Sequence, residues 1–291
     1  MFTATLFTNP AMYMERALVD SLRNALGGGD ILWLAPDRAA EFPIPSCPKN
    51  EDQIWHGLQA EGVDLVIQPM EGRRKKLLLA DMDSTMICQE CIDELAAEAG
   101  IGERVAAITA RAMNGELEFE EALRSRVGLL KGLDISVIDT VLARRITYMP
   151  GGKTLVATMK AHGAHASLVS GGFTAFTTKV AAELGFDDHR ANTLLTENRT
   201  LSGEVARPIL GRDAKVQALH EITAMLNITP AETLAVGDGA NDLGMLQLAG
   251  TGVALHAKPA VQEQARIRIN HGDLTALLYI QGYGADEIVT P

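Results

Sequence analysis

The stretch LLLADMDSTMICQECIDELAAEAG, residues 77–100, sets two carboxylates, Asp81 and Asp83, directly after an apolar run. The run Leu77–Ala80 has the length and composition of a buried strand. Side chains alternate along a strand, so Asp-x-Asp at its end turns both carboxylates to the same side. Their repulsion calls for a counter-charge, and a hard divalent cation provides one through oxygen ligands. A turn or helix-capping aspartate would carry the same letters, so the pair by itself defines no site. The nearby Cys88 and Cys91 make a CxxC. No second Cys or His pair lies at finger-like spacing, and no thioredoxin-like setting surrounds them. They read as ordinary helix-face cysteines.

Upstream, residues 1–75 read as a small α+β unit. TATLF, ILWLAP and VDLVIQP read as strands, MERALVDSLRNALGGGD and DQIWHGLQAE as helices, and the proline-rich PDRAAEFPIPSCPKNED as a loop. The charged run EGRRKK (71–76) reads as a solvated linker in so acidic a chain. Downstream, from Glu90 to about Thr147, amphipathic helices punctuated by Gly and Asp suggest a small bundle. Beyond it strands and helices alternate, with a hairpin in NTLLTENRTLSGEV around Glu197-Asn198-Arg199. The alternation predicts an α/β fold with a doubly wound parallel sheet. The expected division is an N-terminal unit over 1–75, a core over 76–88 and 148–291, and a helical cap insertion over 89–147.

Composition narrows the function. A formal net charge of −11 over 291 residues argues against a nucleic-acid-binding or anionic-membrane surface. It leaves an anionic small-molecule substrate open, because local cations outweigh the global field at contact distance. Three cysteines in so long a chain do not make a disulfide framework. The N-terminus MFTATLFTNP lacks a basic region followed by a long apolar one, and no run approaches the length of a membrane span. A soluble, cytoplasmic protein is expected.

Four features fall at or beside the carboxyl ends of expected strands, the edge where open α/β sheets bind ligands. The first is Asp81 with Asp83. In LVSGGF, Ser170 ends a strand, and Gly171-Gly172 let backbone N–H groups approach an anion at a helix start. Lys215 lies on the helix GRDAKVQAL. In VGDGANDLGM, Asp238 ends a strand, and Asn241 and Asp242 begin a helix. A lone lysine on a helix is ordinarily solvated, and a glycine pair ordinarily marks a tight turn. The order and spacing of all four carry the argument.

These residues resemble the haloacid dehalogenase superfamily of phosphotransferases, over about Lys76 to Arg268. DMDSTMICQECIDELAAEAG together with AMNGELEFEEALRSRVGLLKG looks like the branch of that superfamily that acts on O-phospho-L-serine. The resemblance implies a HAD-like Rossmannoid core and an aspartyl-phosphate mechanism. In it Asp81 is the nucleophile, and Asp83 is the proton donor and then the base. Mg²⁺ would be held by the Asp81 carboxylate, the Asp83 main-chain carbonyl and Asp238, with Asp242 supporting them and Asn241 supporting both this shell and the substrate. Ser170, the Gly171 N–H and Lys215 would hold phosphoryl oxygens. Glu90 and Arg126 would grip the ammonium and carboxylate of the substrate, and Met113 and Phe119 would close an apolar lid. Read without the resemblance, Glu90 and Arg126 pass as a surface ion pair, and Met113 and Phe119 as bundle core. Met82 stands where the superfamily often has an aromatic; a side chain facing away from both carboxylates would tolerate the change.

The N-terminal unit loosely resembles an ACT-type regulatory domain, one strand short. It could bind an amino acid, mediate homodimerisation or only pack. The resemblance implies a hydrolase releasing L-serine at the end of serine biosynthesis. A phosphotransferase passing the group to an alcohol such as homoserine is the alternative. A metal-dependent glycosyltransferase also uses Asp-x-Asp, but gives Ser170, Lys215 and the Asp238 turn no role. A phosphatase-fold sensor would not need every catalytic position filled.

Overall fold

Near-continuous burial along the strands of the first 70 residues marks a sheet covered on both faces. The computed structural model describes the backbone of residues 1–113 and 116–291, with side chains described outside 112–115. Strand β1 (Phe2–Thr8), helix α1 (Arg16–Ala25), strands β2 (Leu32–Ala35) and β3 (Ala39–Ile44), helix α2 (Glu51–Gln59) and strand β4 (Val63–Pro69) come first. Their strands pair antiparallel in the order β2-β3-β1-β4. One face, with Ala4, Leu6 and Phe42, packs on α1 and α2. The other, with Phe7, Ala39 and Val66, joins the core of the rest of the chain.

Strand β3 corrects the sequence reading, which left these residues as loop and the unit one strand short. Pro43 disguises the strand because it lacks a ladder donor. It is tolerated because β2 pairs with β3 only as far as Glu41. Past that point the Pro43 carbonyl accepts from Gly29 N at 2.9 Å.

The second unit begins with β5 (Leu77–Ala80), followed by helices α3 (Cys91–Glu98), α4 (Gly102–Met113), α5 (Phe119–Gly128) and α6 (Ser136–Arg144). Then come α7 (Gly152–Ala161), β6 (His165–Phe173), α8 (Thr174–Leu184), β7 (Asp188–Asn192), the hairpin β8 (Leu194–Glu197) and β9 (Thr200–Val205), and α9 (Arg212–Met225). β10 (Thr233–Gly237), α10 (Leu243–Leu248), β11 (Thr251–Leu255), α11 (Pro259–Gln262), β12 (Ile267–Ile269) and α12 (Ala276–Tyr279) complete it. Six strands pair in parallel in the order β12-β11-β10-β5-β6-β7. In β5, Leu77 and Leu79 face the cluster built on α9 and α10, whereas Leu78 and Ala80 face the cluster built on α7, α8 and α12. A strand covered on both faces reads as a continuous apolar run, which is why LLLA has no alternation.

β7 is the second correction. Its sequence, DHRAN, carries no strand signal, because an edge strand has one neighbour and a partly solvated face. The chain winds from β5 to β6 and β7 on one side and to β10, β11 and β12 on the other. The reversal puts a crevice at the carboxyl ends of β5 and β10.

The helices α3–α6 leave and re-enter this edge through two adjacent segments. Cys88 N donates to Thr147 O at 2.9 Å and Met149 N to Met86 O at 3.0 Å. The hairpin β8–β9 reaches over to the same helices, with Gly132 N and Leu201 O 2.8 Å apart.

The N-terminal sheet is clasped to the core by one carboxylate. Asp64, fully buried, accepts from the backbone N–H groups of Asn270, His271 and Gly272 at 2.8–3.2 Å. Replacing Asp64 by Ala strands three donors, one buried and two partly buried, so a loss of about 3 kcal/mol is expected from chemical denaturation. A loss under about 1 kcal/mol would mean that water or another acceptor replaces the carboxylate.

Candidate active site

β5 ends at Ala80, so Asp81 emerges at the crevice. Its backbone N–H still donates to Val236 O of β10 at 3.0 Å, which holds the residue at the sheet edge. Lys215, from α9, brings Nζ to 2.6 Å from Asp81 Oδ1 and 2.6 Å from Asp242 Oδ1. All three side chains are at least nine-tenths buried. Burial opposes the lysine charge, but Asp242 and Asp81 outweigh it and push the Lys215 pKa up. Burial pushes Asp81 well above the ordinary carboxylate range; Asp242 and Asp238 add to this and Lys215 opposes it. The centre has more negative charge than its one lysine neutralises.

Asp238 follows β10 directly across the crevice. Its Oδ1 accepts from Thr85 Oγ1 at 3.0 Å. Burial, then Asp242 and Glu90, raise its pKa to about 6. Asp81, Asp238 and Asp242 each present a carboxylate oxygen, all within 4.8 Å of one another. This hard-oxygen set fits a divalent cation of the magnesium, calcium or manganese class. Both Asp242 oxygens are already engaged, Oδ1 by Lys215 and Oδ2 by Gly239 N at 2.9 Å. That favours Asp81 and Asp238 as direct carboxylate ligands.

Asp83 lies one turn of chain further. Ser84, at φ 56°, bends the backbone here. Cys91 N donates to Asp83 Oδ1 at 3.3 Å. Burial and then the Glu90 charge raise Asp83 to about 7, against the pull of the Cys91 N–H. Burial beside Asp83 pushes the Cys91 thiol far up and leaves it unreactive. All three cysteines are free.

At the end of β6, Ser170 Oγ accepts from Gly172 N at 2.8 Å. The glycines are required by space. A Cβ at Gly172 would sit 2.8 Å from Asp83 Oδ2 and 3.1 Å from the buried Met82 side chain. A Cβ at Gly171 would meet Phe119 Cζ at 3.4 Å, and one at Gly211 would meet the same ring at 3.2 Å. Phe119, the first residue of α5, thus leans from the helical insertion onto the glycine turn. Asn241 lies alongside, its Oδ1 in the space a Gly239 Cβ would take.

Glu90 stands exposed at the start of α3 and accepts from Ser84 Oγ at 2.7 Å. Arg126, half-buried on α5, donates Nε to Ala122 O at 3.3 Å and has no ion pair among the described residues. Burial lowers its pKa, while the nearby charges of Asp93, Glu90 and Asp83 raise it. The geometry thus gathers Asp81, Asp83, Asp238, Asp242, Lys215, Ser170, Gly171, Asn241, Phe119, Glu90 and Arg126 around one crevice. Met113 ends α4, and its side chain falls outside the described residues.

Three contributors escaped the sequence reading. Thr85 fixes Asp238, as above. Asn192, at the end of β7, donates Nδ2 to Gly171 O at 2.8 Å and to Leu210 O at 3.1 Å, and accepts from Leu210 N at 2.8 Å. It ties the glycine turn to the segment entering α9. Asp93 places a buried Oδ1, with no hydrogen-bond partner among the described residues, near the Glu90 and Arg126 charges. For Asn192 the missing signal was β7 itself; once that strand is seen, its last residue falls on the functional edge.

Residues 78–247 match the family model described as haloacid dehalogenase-like hydrolase. The chain belongs to the haloacid dehalogenase-like hydrolase family. Among related family members, a phosphoserine phosphatase of Streptomyces coelicolor is 42% identical over 257 residues, which are 87% of this chain and 62% of that protein. The chain therefore spans less than two thirds of that relative. A phosphoserine phosphatase of Polaromonas sp. is 47% identical over 208 residues, 70% of this chain and 88% of that one. The crystal structure of a family hydrolase from Salmonella enterica serovar Typhi superposes with a TM-score of 0.88 at 30% identity. It covers 97% of this chain and 99% of that one. The likeness includes the N-terminal sheet. Among the described residues, no helix is long and apolar enough to cross a membrane.

Proposed function

We propose that the chain is a Mg²⁺-dependent phosphatase that hydrolyses O-phospho-L-serine to L-serine and phosphate through an aspartyl-phosphate on Asp81. The observation that carries this reading is the pair of unlike carboxylates. Asp81 is pinned by a lysine at the sheet edge, and Asp83 beside it is held near neutral pKa. One is kept in place to attack, and the other can both give and take a proton at pH 7.

Asp81 attacks phosphorus in line as the bond from phosphorus to the seryl oxygen breaks, and Asp83 protonates that oxygen. Water then attacks the aspartyl-phosphate, Asp83 takes its proton, and phosphate leaves with Asp81 restored. Lys215, Ser170 and the Gly171 N–H hold phosphoryl oxygens. When bound, Mg²⁺ offsets the repulsion between Asp81 and an anionic phosphate. The Asp81 and Asp238 carboxylates and the Asp83 carbonyl would hold it, with Asp242 and Asn241 behind them.

Glu90 would take the substrate ammonium. Arg126, which lies near carboxylate charges without pairing to one among the described residues, has a fork suited to the substrate carboxylate. Phe119 and Met113 would cover the site from the insertion, residues 89–147, which would move relative to a core of 76–88 and 148–291. Residues 1–75 would form the separate N-terminal domain.

Phosphate release from phosphoserine, phosphothreonine, phosphoethanolamine and sugar phosphates, with Mg²⁺ or with EDTA, tests the reading. Preference for phosphoserine and loss with EDTA are expected; equal rates across the panel would refute the substrate assignment. Added homoserine separates hydrolysis from transfer, because transfer would give phosphohomoserine in place of free phosphate.

Metal binding should depend on pH in a defined direction. Ligand carboxylates must be deprotonated, and Asp238 is raised to about 6. Mg²⁺ affinity measured by calorimetry is expected to fall by about tenfold per pH unit, per proton displaced, below about pH 6. Affinity unchanged between pH 7 and pH 5 would exclude Asp238 as a ligand.

A further inference from the structure

The cationic run Arg73-Arg74-Lys75-Lys76 is a largely exposed linker whose charges are mostly paired. Arg73 forks onto Glu41 at 2.6 and 3.2 Å, Arg74 meets Glu287 at 2.8 Å, and Lys76 meets Glu232 at 2.7 Å. Each partner lies on a different part of the fold, so the linker is stitched down. Lys75 is the exception. Its Nζ donates to two carbonyls, Gly72 O at 2.7 Å and Ala231 O at 2.8 Å, and it has no carboxylate partner among the described residues.

Lys75 opens on a cavity of about 340 Å³ between the N-terminal sheet and the core. The cavity lies where β11 and β12 begin, at the opposite edge of the sheet from Asp81 and Asp238. Gln68 and Lys75 line it on one side, and Gln247 and Arg266 on the other. Arg266 has neither an ion pair nor a side-chain hydrogen bond among the described residues. Burial lowers the Lys75 pKa, the Glu232 charge opposes this, and the nearby Arg266 charge lowers it further. Among the described residues Glu71 is the one acidic lining residue, and the Arg73 charge is already answered by Glu41. Two cations that hold no ion pair among the described residues, in a chain of net charge −11, thus line a space of the size that holds small ligands, roughly 300–1,000 Å³.

We propose that this cavity binds a phosphate group between Lys75 and Arg266, as part of a small organic phosphate. The ligand carries two negative charges against two cations. Its several acceptor oxygens suit an arginine fork and a lysine. A phosphate ion alone would leave most of the volume empty, which favours a monoester over the free ion. Because both units line the cavity, the occupant holds the N-terminal sheet in its docked position. The inference is independent of the carboxylate centre, since the two sites share no residue.

Calorimetry on the full chain with Mg²⁺, using propylphosphonate and inorganic phosphate as probes, tests it. Propylphosphonate resists hydrolysis and stands for a monoester. The wild-type protein is expected to show a phosphonate site that Arg266→Ser weakens about tenfold or more, the loss of one charge-assisted contact. Any binding at the carboxylate centre, and turnover, should be unchanged by this exposed substitution. Lys75→Ser should weaken the same site, and tungstate soaked into crystals should appear between the two cations. Tighter phosphonate than phosphate binding supports the monoester; phosphate binding alone assigns the site to the free ion and overturns the organic-ligand part. Identical titrations of wild type and Arg266→Ser, with no tungstate in the cavity, overturn the proposal and leave a water-filled seam.

Discussion

Asp81→Asn is expected to abolish phosphate release, by on the order of 10⁴-fold or more, while making the metal-free protein more stable. The two effects have one cause. Asp81 sits buried near Asp242 and Asp238 with a single lysine between them, and its pKa is raised well above the usual range, first by burial and then by Asp242. A carboxylate raised in the folded state contributes stability below its unfolded pKa and loses it as pH rises through the folded one. Wild-type stability should therefore decline with rising pH across that window, and the neutral amide escapes the decline. A gain of on the order of 1 kcal/mol at pH 8, shrinking towards pH 4, is expected from urea unfolding with EDTA present. Mg²⁺ should reverse the order, because the wild-type site binds it more tightly. Retained turnover would sink the covalent mechanism. A fall in metal-free stability would mean that the Lys215 contact outweighs the repulsion.

The catalytic edge was legible because its residues end strands that are themselves legible. LLLA and TLAV are buried on both faces, and each leads within two residues into an aspartate at the sheet edge. Asp81, Asp83 and Asp238 followed, and Ser170 and Lys215 gained meaning from them. Strand alternation gave no warning of β3 or β7. Pro43 removes a ladder donor from β3, and DHRAN lies on an edge where polar side chains cost little. Missing β7 hid Asn192, whose value lies in joining two loops 18 and 21 residues away. Thr85 was quoted in the motif but had no visible role, since its partner Asp238 is 153 residues distant. The charged linker is largely exposed, as read, but its ion pairs were hidden for a related reason: Glu41, Glu232 and Glu287 are remote in sequence. Pairings of this kind are properties of the folded chain, and local pattern does not encode them.

Lys215 carries the second large effect. Its ammonium is the only cation in contact with Asp81 and Asp242, at 2.6 Å from each, among the described residues. Lys215→Met keeps the length and apolar stem but leaves two buried carboxylates facing one another. Removing one partner of a buried charge network costs about 3–5 kcal/mol, so a loss of that order is expected from denaturant unfolding in EDTA. Turnover should also collapse, since nothing then holds the phosphoryl oxygens on that side. Pairing the change with Asp242→Asn separates the two roles. The double variant removes one excess charge, so it should regain a substantial part of the lost stability, a coupling of about 1–3 kcal/mol in a double-mutant cycle. It should regain no activity, because the amide cannot replace an ammonium at the phosphoryl group. If stability and turnover recover together, Lys215 acts only by holding Asp81 and Asp242 in place. If neither single nor double variant loses stability, the three charges are not coupled, and the raised pKa of Lys215 has another source.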